Sequence, residues 1–119
     1  MWPQRLSPHQ EHGRAWEQVA LAHLQAHGLT LVEANFSCKG GEIDLVMRDG
    51  AAWVFVEVRH RADKHHGGAA ASITPAKARR VLRAAQVYLQ RLARMPPCRI
   101  DVVAIDGSHI DWLRNAISA

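Results

Sequence analysis

Residues 41–59 alternate so regularly that few folds remain open to the chain. Asp49-Gly50 is a strong short hairpin signal, and strand-forming runs stand on either side of it. With Asp49 and Gly50 as the central turn residues, Arg48 faces Ala51, Asp44 faces Phe55 and Glu42 faces Glu57. Facing residues project to one side of a sheet, and the side alternates along each strand. One side then carries Ile43, Leu45, Met47, Ala52, Val54, Val56 and Val58, which must be core. The other carries Glu42, Asp44, Val46, Trp53, Phe55, Glu57 and Arg59. The charges gather near one end of that side.

The flanking segments complete the pattern. Residues 1–11 lack periodicity and read as a flexible tail ahead of a single domain, 12–119. From about Gly13 to His27 the spacing is helical, with Trp16, Val19, Ala20, Leu24 and His27 on one stripe. Gly28 closes that helix. Residues 29–36 read as a strand, 37–41 as a loop, and 42–48 and 51–59 as the hairpin strands. Residues 60–72 are polar and then Gly-rich, which predicts a mobile loop. Thr74-Pro75 is a helix start with Thr as N-cap and Pro at the first helical position. That helix is predicted to run to about Met95, where Pro96-Pro97 stops it. Residues 99–106 form a fourth strand, and 109–113 a short fifth. The order αβββαβ(β) predicts an α/β fold, a mixed central sheet flanked by helices. The long helix between strands three and four suits a parallel crossover.

Composition narrows the functional classes. At 119 residues the chain fits one domain, and 48% apolar content is too much for a disordered chain. Cys38 and Cys98 show no paired-cysteine framework and read as free thiols. With no apolar leader and no membrane-length apolar run, a cytoplasmic location is expected. The formal charge of +4, fifteen basic against eleven acidic residues, fits a polyanion partner.

The register makes Glu42 and Glu57 direct cross-strand neighbours and Asp44 a diagonal neighbour of Glu57. The diagonal separation is roughly 7–8 Å, so both carboxylates can reach one point. Like charges so placed need an offsetting cation: Arg59, a divalent ion or both. Carboxylate oxygens suit Mg²⁺, which takes one or two of them together with water and phosphate. The other reading is a solvated strand face. Val46, Trp53 and Phe55 on the same side count against it, because they call for a covering helix. His60, His65 and His66 lack zinc spacing and read as solvated loop. Trp2, Trp16, Trp53 and Trp112 read as packing residues, and Asp101 beside Arg99 as a structural salt bridge.

Asp44, twelve intervening residues and then Glu57-Val58-Arg59 resemble the PD-(D/E)-x-K nuclease core. More narrowly, GRAWEQVA (13–20), NFSCKGGEIDLV (35–46), VFVEVRHR (54–61), GGAAASITPAK (67–77) and RIDVVAI (99–105) resemble the YraN family of endonuclease-like proteins. That family is similar in fold to archaeal Holliday-junction resolvases. The resemblance covers about residues 13 to 117. It implies a restriction-endonuclease-like core and a Mg²⁺- or Mn²⁺-dependent endonuclease acting on DNA, with branched or recombination intermediates among the implied targets. It implies metal binding by Asp44, Glu57 and the backbone carbonyl of Val58, with Glu17 from the first helix and Glu42 as further acids. Asp44, Glu57, Arg59, Glu17 and Lys77 are the implied catalytic residues. Arg59 stands where the general core has lysine, so a nuclease-fold protein that binds DNA without cutting is the alternative. A homodimer is implied by analogy with the resolvases.

Overall fold

The computed structural model describes residues 8–61 and 68–118, with side chains from Arg14 onward. The element order is α1 (Pro8–Ala26), β1 (Thr30–Cys38), β2 (Gly41–Asp49), β3 (Ala52–Arg61), a 3-10 turn (Ala70–Ser72), α2 (Pro75–Leu89), β4 (Cys98–Asp106) and β5 (His109–Ile117). The five strands form one mixed sheet in the order β1-β2-β3-β4-β5. Only β3 and β4 run parallel, and α2 is the crossover between them.

Apolar side chains of the sheet divide between the two helices. Leu45, Met47, Val54, Val56, Val103 and Ile105 pack with Ala20 and Leu24 of α1. Val46, Phe55, Val102 and Phe36 pack with Val81, Ala84, Ala85 and Tyr88 of α2. The side of the hairpin that carries the acids is therefore covered by a helix, and Val46 and Phe55 are fully buried. Trp16, Trp53 and Trp112 all pack against these two cores.

Several boundaries differ from the sequence expectation, each for a local reason. α1 begins at Pro8, inside the expected tail, with proline in the first turn where its missing N–H costs nothing. Residues 1–7, Trp2 among them, lie outside the described residues. Val19, placed on the α1 stripe, is 38% exposed, and Leu21 packs in its stead. α2 ends at Leu89 rather than near Met95. Tight turns follow it, with Arg91 N–H on the Tyr88 carbonyl, and Pro96 cannot support a helical turn before it. The Arg91 guanidinium lies 4.7 Å from the Phe36 ring centre and 5.2 Å from that of Tyr88, which holds it back over the sheet.

β5 is longer than expected because it continues through a bulge. Asn115 takes φ +52, and its N–H goes to buried Asp101. Asp101 also accepts from Arg99 Nε at 3.0 Å and Trp112 Nε1 at 2.9 Å, a structural tie between β4 and β5. Both ends of the expected 60–72 loop have regular structure. β3 runs to Arg61, and residues 68–72 form a turn and a 3-10 turn. His65 and His66 lie outside the described residues.

A buried carboxyl pair where two strands part

The hairpin turn is Gly50-Ala51, one residue later than expected. Gly50 has φ +60 and Ala51 does not share a positive φ, so glycine takes the first central position, as in a type II′ turn. The ladder runs Asp49↔Ala52, Arg48↔Trp53, Met47↔Val54, Val46↔Phe55 and Leu45↔Val56. A shift of this size keeps the side of every residue but changes every partner. Continued one step, it sets Asp44 against Glu57, and Glu42 no longer faces Glu57.

The paired ladder stops at Leu45↔Val56, although both strands continue. There the Val58 N–H donates to Asp44 Oδ2 at 2.7 Å, so a side chain takes the place of a strand carbonyl. Alternation breaks at the same point. Ile43, expected with Leu45, packs under α2 beside its β1 partner Phe36, next to Asn35 at φ +57. The acids stand in this fork, Asp44 half-buried and Glu57 buried, between strands that are no longer paired.

The Asp44 and Glu57 carboxyls meet here, and burial raises both, so the pair holds a proton above the ordinary carboxylate range. Glu57 is 8% exposed. Desolvation, then the Asp44 charge, pushes its carboxyl up to about 8. Desolvation raises Asp44 too, against the pull of its bond from Val58. Glu17 of α1 faces the same place: burial first, and then the charge of Asp44, raise it to about 7. Its Oε1 is buried and has no hydrogen-bond partner among the described residues.

Positive groups border the fork. Arg59 Nη1 lies 3.6 Å from Glu57 Oε1. Lys77, in the first turn of α2, lowers the Glu57 and Glu42 carboxyls by its charge, and its own N–H is capped by Thr74 Oγ1 at 3.1 Å. Glu42 is drawn away from the pair. It accepts two bonds from Arg80, at 3.2 and 2.8 Å, on the exposed face of α2. That pairing, ahead of any other influence, lowers its pKa.

The structure thus gathers Asp44, Glu57, Arg59, Glu17 and Lys77 around one recess and leaves Glu42 at its rim. Among the described residues no three His, Cys, Asp or Glu side chains are grouped as a ready-made metal cage. Sequence reasoning missed Ser72, whose Oγ accepts from Arg59 Nε at 2.8 Å. Its only signal was its place in the GGAAASITPAK motif, which names no chemistry.

Fold and site together define a class: a small α/β protein with a five-stranded mixed sheet that keeps a proton-sharing carboxyl pair at a strand fork. Residues 16–105 match the model of a family described as "Uncharacterised protein family UPF0102". A UPF0102 protein of Herminiimonas arsenicoxydans is 59% identical over 107 residues, 90% of this chain and 86% of that protein. One of Janthinobacterium sp. (strain Marseille) is 60% identical over 107 residues, 90% of this chain and 87% of that one. One of Alkalilimnicola ehrlichii is 54% identical over 119 residues, 98% of this chain and 94% of that one. The chain belongs to the UPF0102, or YraN, family.

Proposed function

We propose that the chain is a divalent-cation-dependent endonuclease with a restriction-endonuclease-like core, hydrolysing DNA phosphodiesters. The observation that carries this reading is the meeting of the Asp44 and Glu57 carboxyls in a buried fork of the sheet, with Arg59 and Lys77 beside them. Stability gains nothing from two acids placed together out of water. A cation seated between them would remove that cost.

The donor set suits Mg²⁺ or Mn²⁺, since hard oxygens are what such ions take. The orphaned Oε1 of Glu17 is a further oxygen facing the recess. Asp44 and Glu57 would hold the ion, with the Val58 carbonyl and Glu17 as further ligands. Glu42, if released by Arg80, would serve a second ion. A bound ion supplies an acidified water and offsets charge on the phosphate.

The chain's own residues do the rest. Arg59 presents a planar guanidinium to the phosphoryl oxygens and stabilises the charge that grows on them. Arginine stays protonated and cannot act as base. Where Glu17 does not ligate the ion, its carboxylate is placed to accept a proton from the attacking water. Lys77 adds positive charge at the N-terminus of α2, where an anion is favoured. Basic residues of α2 hold the DNA backbone, and resemblance to resolvases points to branched DNA and to a homodimer.

A second reading is a protein that binds DNA with little or no cutting. It is favoured by one residue, Arg59, standing where the general nuclease core has lysine.

The test is incubation with branched, nicked and linear DNA in Mg²⁺, Mn²⁺ or EDTA, beside Asp44→Asn. Cutting that needs metal and falls more than about 100-fold in the variant supports the nuclease, because removal of a ligand should cost more than removal of a group that merely supports one. Calorimetric titration should find Mn²⁺ binding abolished in Asp44→Asn and its fold intact. Salt-sensitive binding without cutting supports the second reading, and neither activity defeats both.

A further inference from the structure

The GGAAASITPAK segment has a capping threonine, a proline and Lys77 to account for its second half. Its first half, Gly68 to Ser72, contributes nothing to the carboxyl pair directly. Three hydrogen bonds give it a task.

Arg59 Nε donates to Ser72 Oγ at 2.8 Å. Ser72 Oγ in turn donates to the Ala69 carbonyl at 2.6 Å. A hydroxyl has one proton. With that proton committed to Ala69, only lone pairs face Arg59, so the hydroxyl is fixed as an acceptor. The Ala69 N–H donates to Asp106 Oδ1 at 2.7 Å, a charge-assisted bond and a strong one.

The anchor of this chain is rigid. Asp106 ends β4, opposite Arg61 in the parallel ladder, and Arg59 stands opposite Ala104. The Gly107 N–H bonds to the Arg61 carbonyl at 3.0 Å, which closes the end of the strand pair. Gly68 sits at φ +75, and a Cβ there would lie 2.8 Å from Asp106 Oδ1, so the turn needs glycine twice over. Ala69 is fully buried.

We infer that Ser72, held by Ala69 and Asp106, is a positioning residue for Arg59. It binds Nε and so aims the two Nη groups at the recess that holds Asp44 and Glu57. A guanidinium tied only through a flexible stem would pay rotamer entropy for each encounter. One tied at Nε has its fork already set. The arrangement also explains why arginine suits this chain at position 59. A lysine that binds Ser72 has no second nitrogen to turn toward the recess. This inference rests on the proposed function in one respect, that the Nη groups meet a phosphate.

The test compares wild type with Ser72→Ala, Ser72→Thr and Arg59→Ala. The first readout is the exchange rate of the Arg59 Nε–H by ¹⁵N NMR, which needs no activity. Ser72→Ala should speed exchange roughly ten-fold or more, the scale of removing a hydrogen bond to a charged group, and Ser72→Thr should restore it. Unchanged exchange in Ser72→Ala overturns the inference. Thermal melting should confirm that both serine variants stay folded.

The second readout is binding of a short fluorescent duplex in Ca²⁺, which avoids cutting. Arg59→Ala and Ser72→Ala should each weaken binding, and Ser72→Ala should add nothing once Arg59 is alanine. Additive effects overturn the positioning role. Should Arg59→Ala leave duplex binding untouched, the phosphate-facing role of Arg59 fails, and the exchange readout still decides what Ser72 does.

Discussion

At the scale of single residues, the chemistry is concentrated in Glu57. Its folded pKa near 8 lies above the ordinary value of 4.5, chiefly through desolvation and the nearby Asp44 charge. Between those values the folded protein holds a proton that the unfolded chain has released. Stability from this group is complete below about pH 4.5 and is lost as pH rises through 8. Glu17 adds a slope of the same sign up to about 7. Glu57→Gln cannot ionise and can donate to Asp44. The metal-free variant should therefore melt above wild type at pH 8, by at least about 4 °C if the gain is ~1 kcal/mol, with the gap closing toward pH 5. Equal melting temperatures at pH 8 would contradict the shared-proton picture. Alternation alone placed Asp44, Glu57 and Arg59 on one side. It gave Glu57 the wrong partner, because an aspartate-glycine pair does not say which central position the glycine fills. Hydrogen bonds such as Arg59 to Ser72 join residues with no sequence periodicity between them, so they could not be read in advance.

At the scale of elements, one close approach positions the site. Gly41 opens β2 under α2, and a Cβ there would overlap the Arg80 carbonyl oxygen and lie 3.0 Å from the Ala84 amide. Both are backbone atoms, so α2 must lift to admit a methyl. Gly41→Ala should destabilise by about 1–3 kcal/mol, the range for overpacking, seen as a lower urea midpoint at unchanged m. It should also part Arg80 from Glu42, which now touch at 2.8 Å. An unaltered midpoint would mean that α2 can dock without the close approach at Gly41. The elements themselves were legible: two helices, the hairpin, the parallel crossover and a fifth strand. Their ends were less so. Pro96-Pro97 set a latest end for α2, but the packing of Arg91 on Phe36 and Tyr88 is tertiary. The Asn115 bulge that extends β5 depends on Asp101, fourteen residues away in the chain.

At the scale of the whole molecule, charge is distributed to one side of the recess. The net charge of +4 is modest, yet α2 carries Lys77, Arg79, Arg80 and Arg83 and has no acid at all. All four are exposed, as is Lys39 in the β1–β2 turn. That turn lies on the same helix, since a Cβ at Gly40 would sit 3.4 Å from Arg83 Cγ. Glu42 offsets one of these charges through Arg80. What remains is a basic helix face whose first turn acts on Glu57 through Lys77, and the proposed DNA backbone would be drawn to it. Arg79 and Arg83, one helical turn apart, share a face. Reversing both to glutamate should weaken duplex binding and lower the slope of log K against log salt by about 2, one unit for each phosphate no longer neutralised. Mn²⁺ affinity should be unchanged, because neither side chain is part of the recess. Weaker binding with an unaltered slope would show that these arginines act on the fold rather than on phosphate. A change in Mn²⁺ affinity would show that the helix face and the strand fork are one electrostatic unit instead of two adjoining ones.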